Sequence, residues 1–287
     1  MINTEVHQHA AQIAEHLFRC EVPNLTGPSG QPTNVYIVGP SPATLIDAGS
    51  DDGGASVLAA LERHGIDAVE QIILTHAHQD HAGSATALRA ATGAPISLHP
   101  RDLAASGRHN IDLQPDRLLA AGEVVEAGDY RFQVIETPGH AQGHVSLYEP
   151  SLKALFAGDL LSGNGTIAIV PPRGSMGEYM ASLRRVSQFE IDMIYPGHGP
   201  AIPNGNERIA QYIAHRERRE QDIYETIQAG SHTIDSITDV LYADVQPRIR
   251  PQAAGTVLAH VIHLIELGRV SVTHEGPSIG ESEFAVA

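Results

Sequence analysis

The sequence predicts a mixed α/β domain followed by a small, mainly helical one. Two observations carry this. In four places an apolar, strand-like run delivers a polar turn holding His or Asp: residues 71–74 before THAHQDH, 132–136 before TPGHAQGH, 154–157 before GDL, and 191–195 before PGHG. Beyond Pro203 the apolar spacing becomes helical and stays so for about sixty residues.

Taken in order, residues 34–38 and 43–46 read as two short strands joined by a turn at Gly39, Pro40 and Pro42. A helix over 54–64 keeps Val57, Leu58 and Leu61 on one face, and Gly65 stops it. The strand 71–74 leads through THAHQDH into a small-residue helix bearing Ser84, Ala87, Leu88 and Ala91, which ends at Gly93. Residues 206–230 form a long helix with Ile209, Tyr212, Ile213, Ile223 and Ile227 on one face. Thr233 caps a short helix carrying Ile237, Val240 and Leu241, and a third helix over 252–267 precedes the strand RVSV. Three helices and a strand make a winged-helix plan. The domain division is therefore 1–205, 206–275, and a disordered tail at 276–287.

Composition narrows the function classes. The 287 residues carry a net charge of -16, which disfavours a broad nucleic-acid surface, and no run of eighteen apolar residues suggests a membrane span. The N-terminal stretch lacks the cationic and apolar regions of a signal peptide, so a cytoplasmic location is expected. Cys20 is the single cysteine, so any metal must be held by His and carboxylates. Of 17 histidines, His7, His9, His16, His64, His99, His109, His215, His232, His260, His263 and His274 fit no ligand spacing and read as surface or packing residues.

The remaining histidines fall at strand ends, which a sheet holds rigidly side by side. In an extended stretch i and i+2 point the same way, so His76 and His78 can grip one ion while Asp80 and His81 face another. His140, Asp159 and His198 complete seven candidate ligands, too many for one ion and about right for two. Imidazole and carboxylate suit divalent ions, with zinc the leading choice and iron or manganese as alternatives. Asp159 is the natural anionic bridge.

HAHQDH at 76–81, TPGH at 137–140, GD at 158–159 and PGH at 196–198, in this order, resemble the successive motifs of the metallo-β-lactamase-fold hydrolases. The resemblance covers residues 15–205 and implies an αββα sandwich with a metal site along one edge of its two sheets. It assigns His76, His78 and His140 to one ion, Asp80, His81 and His198 to a second, and Asp159 to both. It places Asp47 behind the ligands as an orienting carboxylate, and it gives His144, four residues after His140, either a supporting role or a packing one. Two such ions would present hydroxide as nucleophile at neutral pH, with Asp80 and Asp159 as catalytic carboxylates and Asp80 also passing a proton to the leaving group.

Residues 177–186 and the helical C-terminal region resemble the β-lactamase-like protein 2 group with its winged helix. The expected substrate is a small ester, thioester or lactone. The alternatives are a single-strand-specific endoribonuclease and a winged-helix regulator whose metal domain is a sensor. Residues 207–270 hold seven Arg against nine Asp or Glu, a poor footprint for RNA. The cluster Arg216 to Arg219 reads as a solvated helix face paired with Glu220 and Asp222. Arg173 reads as a surface residue that could meet an anionic substrate. The apolar face of the helix from Glu207 can pack on its own domain or form a homodimer.

Overall fold

The structure is a computed structural model that describes residues 10–24, 30–50, 52–106 and 113–287. Of the histidines set aside above, His7, His9 and His109 lie outside the described residues. Two compact units emerge. The first comprises 1–137, 143–165 and 190–206, and the second 138–142, 166–189 and 207–287.

Among the described residues the first unit contains two sheets. One has seven strands in sequential order: β1 (Ala10–Ala14), β2 (Leu17–Val22), β3 (Thr33–Val38), β4 (Ala43–Ile46), β5 (Val69–Ile73), β6 (Ile96–Leu98) and β7 (Arg117–Leu118). The other runs sequentially through β8 (Val124–Ala127), β9 (Tyr130–Glu136), β10 (Val145–Glu149), β11 (Ala154–Gly158), β12 (Met193–Pro196) and β13 (Ile202–Pro203). Helices α1 (Ala55–Arg63), α2 (Gln79–Ala82), α3 (Ala85–Thr92) and α4 (Pro100–Ser106) all belong to this unit.

The alternation of the strands explains the layers. Tyr36, Val38, Ile46 and Ile73 turn from the first sheet towards Phe132, Phe156 and Tyr195 of the second, forming the inter-sheet core. The opposite side chains of the first sheet, among them Val35, Ile37, Leu45 and Ile72, bury the apolar faces of α1 and α3 through Val57, Leu61, Ala85 and Leu88. Parallel pairing of β4 with β5, and of β11 with β12, sends the chain out of each pair in one direction. Asp47, Thr75, Asp159 and His198 therefore all follow carboxyl ends of parallel strands.

The second unit holds α5 (Met176–Val186), α6 (Gly205–Gln228, entering from the first unit), α7 (Ile234–Leu241), α8 (Arg250–Glu266), β14 (Val270–His274) and β15 (Glu283–Val286). Thr233 caps α7 as anticipated, in a reciprocal capping box with Ser236. Ile223, Ile227, Ile237, Val257 and Leu264 form the core, so this face of α6 packs within its own chain.

Four expectations need correction. The tail is not disordered: β15 pairs antiparallel with β14, and Phe284 is fully buried in the helical core. A polar sequence with one aromatic anchor looks unstructured until the surface it covers is known. A single cut at residue 205 also fails. Residues 166–189 group with the C-terminal helices, tied by the Ile169 N–H to Thr256 Oγ1 (3.2 Å) and by Arg184 to Glu217 (2.9 Å). Val240, assigned to the apolar face of α7, is 60% exposed. Arg216 is buried, donating to the Ile167 carbonyl and lying over the Tyr179 ring at 5.2 Å, while Arg219 lies over Tyr242 at 4.6 Å. Their planar, weakly hydrated guanidinium groups suit such packing, which a count of charges cannot reveal.

Candidate metal centre

The site begins where β4 and β5 end side by side. Asp47 has φ 63°, a left-handed conformation uncommon for a non-glycine residue. That turn aims its carboxylate back across the strand ends. Its oxygens accept the Thr75 N–H (2.8 Å) and hydroxyl (3.0 Å), and Oδ2 lies 2.8 Å from His81 Nδ1. A carboxylate on Nδ1 fixes the ring and directs the Nε2 lone pair outward.

His76 and His78 follow the β5 end, His78 in extended backbone at the head of α2, and His76 Nε2 approaches His78 Nδ1 to 3.0 Å. The chain then enters α2 at Gln79, which swings Asp80 and His81 to the other side. Asn24 donates to Asp80 Oδ2 at 3.0 Å, and the same oxygen is 3.3 Å from His198 Nε2. His198 is held by its Nδ1–H donating to the Pro32 carbonyl at 2.9 Å. His140 follows the same rule, with Nδ1 bonded to the Ala168 carbonyl at 2.9 Å.

Asp159 Oδ1 lies 3.4 Å from His81 Nε2 and 3.5 Å from His198 Nε2. The glycines of the two motifs make this approach possible. A Cβ on Gly197 would stand 2.6 Å from His81 Cε1 and 2.7 Å from Asp159 Oδ1. A Cβ on Gly158, whose φ is +48°, would stand 2.7 Å from His144 Nε2.

Three sets of ligand atoms lie within 4.8 Å of one another: His76, His78 and His140; His76, His81 and Asp159; and Asp80, His81 and His198. All seven sequence candidates appear in these sets. Asp159 groups with one residue from each of the other two. The donor chemistry fits divalent cations, because His81, His140 and His198 each spend Nδ1 on an oxygen acceptor and so keep the Nε2 lone pair for a ligand.

Electrostatics point the same way. Burial opposes charge on His198, but Asp159 and Asp80 outweigh it and raise the imidazole to about 10. His81 moves in the same direction despite burial, through Asp159 and Asp47. Burial likewise opposes charge on Asp159 and Asp80, yet His198 and His81 hold both well below the usual carboxylate range. The carboxylates thus create a cavity that requires positive charge, supplied by protons or by cations.

His144 does more than pack. Its Nε2 accepts the Asp159 N–H at 2.9 Å, and its Nδ1 meets Thr137 Oγ1 at 2.8 Å. Sequence reasoning missed Asp102 altogether. Its buried carboxylate accepts the Ala77 N–H and the Gly143 N–H, both at 2.7 Å, clamping the loop of His76 and His78 to the end of the loop of His140. No motif marks it; only the two backbone donors aimed at it do. Also unforeseen, His260 and His263 converge on Glu220 in the second unit, at 3.3 and 2.7 Å.

Comparison with known proteins agrees with this geometry. Residues 28–198 match the metallo-beta-lactamase superfamily, and residues 233–276 match the beta-lactamase associated winged helix domain. The chain is 30% identical to a beta-lactamase-like protein 2 homolog of Caenorhabditis elegans, over 85% of this chain and 82% of that one. It is 28% identical to an atrochrysone carboxyl ACP thioesterase of Aspergillus fumigatus, over 80% of this chain and 71% of the relative. Among solved structures, the metallo-beta-lactamase family protein TTHA1429 of Thermus thermophilus shares the fold, with a TM-score of 0.80, 22% identity, and coverage of 96% of this chain and 100% of its own. TTHA1623, solved in a di-iron-bound form, is 32% identical with a TM-score of 0.54, over 65% of this chain and 96% of its own. The chain belongs to the metallo-β-lactamase superfamily of hydrolases and carries that superfamily's associated winged helix domain.

Proposed function

We propose that this protein is a binuclear metal-dependent hydrolase of a small ester, thioester or lactone. The observation that carries the reading is the position of Asp159, whose Oδ1 stands 3.4 and 3.5 Å from two imidazoles and which groups with both His76 and His81. In this reading His76, His78 and His140 hold one cation, Asp80, His81 and His198 the other, and Asp159 serves both. Zinc suits the donors, and iron or manganese are alternatives. When bound, such a pair would lower the pKa of a shared water towards neutrality and polarise the attacked carbonyl.

The chain's own residues do the rest. Asp47 holds the His81 ring by Nδ1, so Nε2 is the ligating atom without any search of rotamers. His144 fixes the Asp159 peptide, and Asp102 fixes the spacing of two ligand loops. Asp80, half-buried and bonded to Asn24, is placed both to ligate and to carry a proton to the leaving group.

Hydrolysis of esters or thioesters is favoured over RNA cleavage by the fate of the second unit's arginines. Arg216 is buried, Arg219 and Arg269 lie over tyrosine rings, and Arg184 and Arg250 pair with Glu217 and Asp239. These contacts engage five of the second unit's ten arginines, and residues 207–270 carry nine Asp or Glu against seven Arg, a balance that disfavours a phosphate backbone. The name of the thioesterase relative agrees with this preference.

The test combines elemental analysis with a panel of lactone, thioester, phosphodiester and single-stranded RNA substrates, using Asp159→Ala as control. Two ions per chain and thioester or lactone turnover lost in the variant support the reading. One ion, or turnover confined to RNA, overturns it.

A further inference from the structure

His140 belongs with the second unit, and so does the carbonyl that fixes its ring. Its Nδ1 meets the Ala168 carbonyl at 2.9 Å. A carbonyl only accepts, so Nδ1 carries a proton in either charge state of the imidazole, and Nε2 is the nitrogen left to face an ion. The ring is therefore placed only as well as the Ala168 peptide is placed.

Ala168 lies in a stretch, 166–170, that is neither helix nor strand, so its backbone groups take partners from elsewhere. The C-terminal helices hold it on both sides of Ala168. From α6, the buried Arg216 donates to the Ile167 carbonyl. From α8, Thr256 Oγ1 accepts the Ile169 N–H at 3.2 Å, while its own proton goes to the Gln252 carbonyl at 2.9 Å. Ile167, Ile169 and Thr256 are all buried, where a lost partner is costly. Residue 255 is a glycine, and this lets α8 come close: a Cβ there would stand 2.9 Å from Val170 Cγ1.

The loop of His140 is tied from α5 as well. The Ser175 N–H donates to the Gly139 carbonyl at 2.8 Å, and the Ser182 hydroxyl to the Pro138 carbonyl at 2.7 Å. Gly139, with φ +136°, sits where a Cβ would stand 2.3 Å from Tyr179 Cα, and Arg216 lies over the ring of that same tyrosine.

We infer that the C-terminal helices brace a metal ligand: Arg216 and Thr256 are positioning residues that hold the Ala168 carbonyl on His140 Nδ1 and so present Nε2 to an ion. The inference rests on the reading of His140 as a ligand. It gives the winged-helix region a task in metal binding that requires no nucleic acid.

The test uses the full chain. Thr256→Val removes the acceptor at nearly constant volume, Thr256→Ser keeps it, and Arg216→Met keeps an apolar stem without the donors. Ile237→Ala weakens the core of the same unit, to which no residue of 166–170 belongs. The His140 tautomer is read in the metal-free protein at mildly alkaline pH by long-range proton–nitrogen NMR, and zinc affinity by competition with a chromophoric chelator. Parent, Thr256→Ser and Ile237→Ala should show the Nδ1–H tautomer alone, and Thr256→Val and Arg216→Met a mixture. In those two, one zinc affinity should fall about tenfold, the low end for losing a group that supports a ligand. A tautomer and zinc affinities equal to the parent's in both variants overturn the brace, and so does an equal fall in Ile237→Ala, which would reduce the effect to general stability. If the parent binds no zinc, the ligand reading fails and the tautomer decides the brace alone: a mixture in both variants upholds it, and an unchanged tautomer sinks it.

Discussion

The Nε2 of His144 accepts the main-chain N–H of Asp159 at 2.9 Å, which makes a side chain just ahead of one strand the anchor of a backbone turn just beyond the next. His144 immediately precedes β10 and Asp159 immediately follows β11, antiparallel neighbours, so the bond crosses between them where the candidate bridging carboxylate leaves the sheet. Replacing His144 by Ala leaves that N–H without its partner and frees the turn. Metal affinity, measured by competition with a chromophoric chelator, is expected to fall about 10–100-fold. An unchanged affinity would show that the loop needs no such anchor.

Asp102 accepts two backbone N–H groups at 2.7 Å in a buried position. Asp102→Asn keeps one acceptor oxygen and turns an NH2 towards the other donor. Urea denaturation of the metal-free variant should show a loss of about 1–3 kcal/mol. Equal midpoints for variant and parent would contradict the clamp.

The metal-free site should be a proton store. His198 is raised to about 10, and His81 is raised too, so both imidazoles hold their protons near neutral pH. The stability this charging contributes is complete below the unfolded value of about 6.5 and is lost as pH climbs through about 10. Asp159 and Asp80, shifted downward, contribute above the ordinary carboxylate pKa and lose it only in acid. Cations must displace the imidazole protons on binding. Calorimetric titrations in buffers of different ionisation enthalpy should therefore report proton release near neutral pH, with apparent affinity rising towards alkaline pH. Heats independent of the buffer would refute this.

Arg216 is 2% exposed, bonded to the Ile167 carbonyl and stacked over Tyr179. Arg216→Ala should destabilise the second unit by about 2–3 kcal/mol, read from thermal or chemical unfolding. A solvated arginine would cost almost nothing, so the magnitude separates the two placements.

Deleting residues 278–287 removes β15 and Phe284, whose burial is worth about 2–3 kcal/mol. Amide exchange in α7 and α8 should accelerate in the truncated chain. Unchanged protection there would return the segment to the status of a dispensable tail.

Much of the candidate site is written in local sequence. HAHQDH puts an i, i+2 pair directly before a helical turn. Backbone periodicity acts over a few residues, so this feature needs no knowledge of the rest of the chain. The long helix, its buried Ile223 and Ile227 face, and the Thr233 cap follow from equally local rules.

Asp102, the roles of His144 and Glu220, the inward turn of Arg216 and the burial of Phe284 were settled only by the tertiary structure. Each depends on a partner 15 or more positions away: Asp102 on Gly143, His144 on Asp159, Glu220 on His260, Arg216 on Ile167, and Phe284 on His232. Sequence determines which side chains are able to donate, accept or be buried. Only the packing of distant elements decides whether a given Asp, Arg or Phe meets solvent, a backbone amide or a core, because that outcome depends on desolvation and contact rather than on the residue's own propensity.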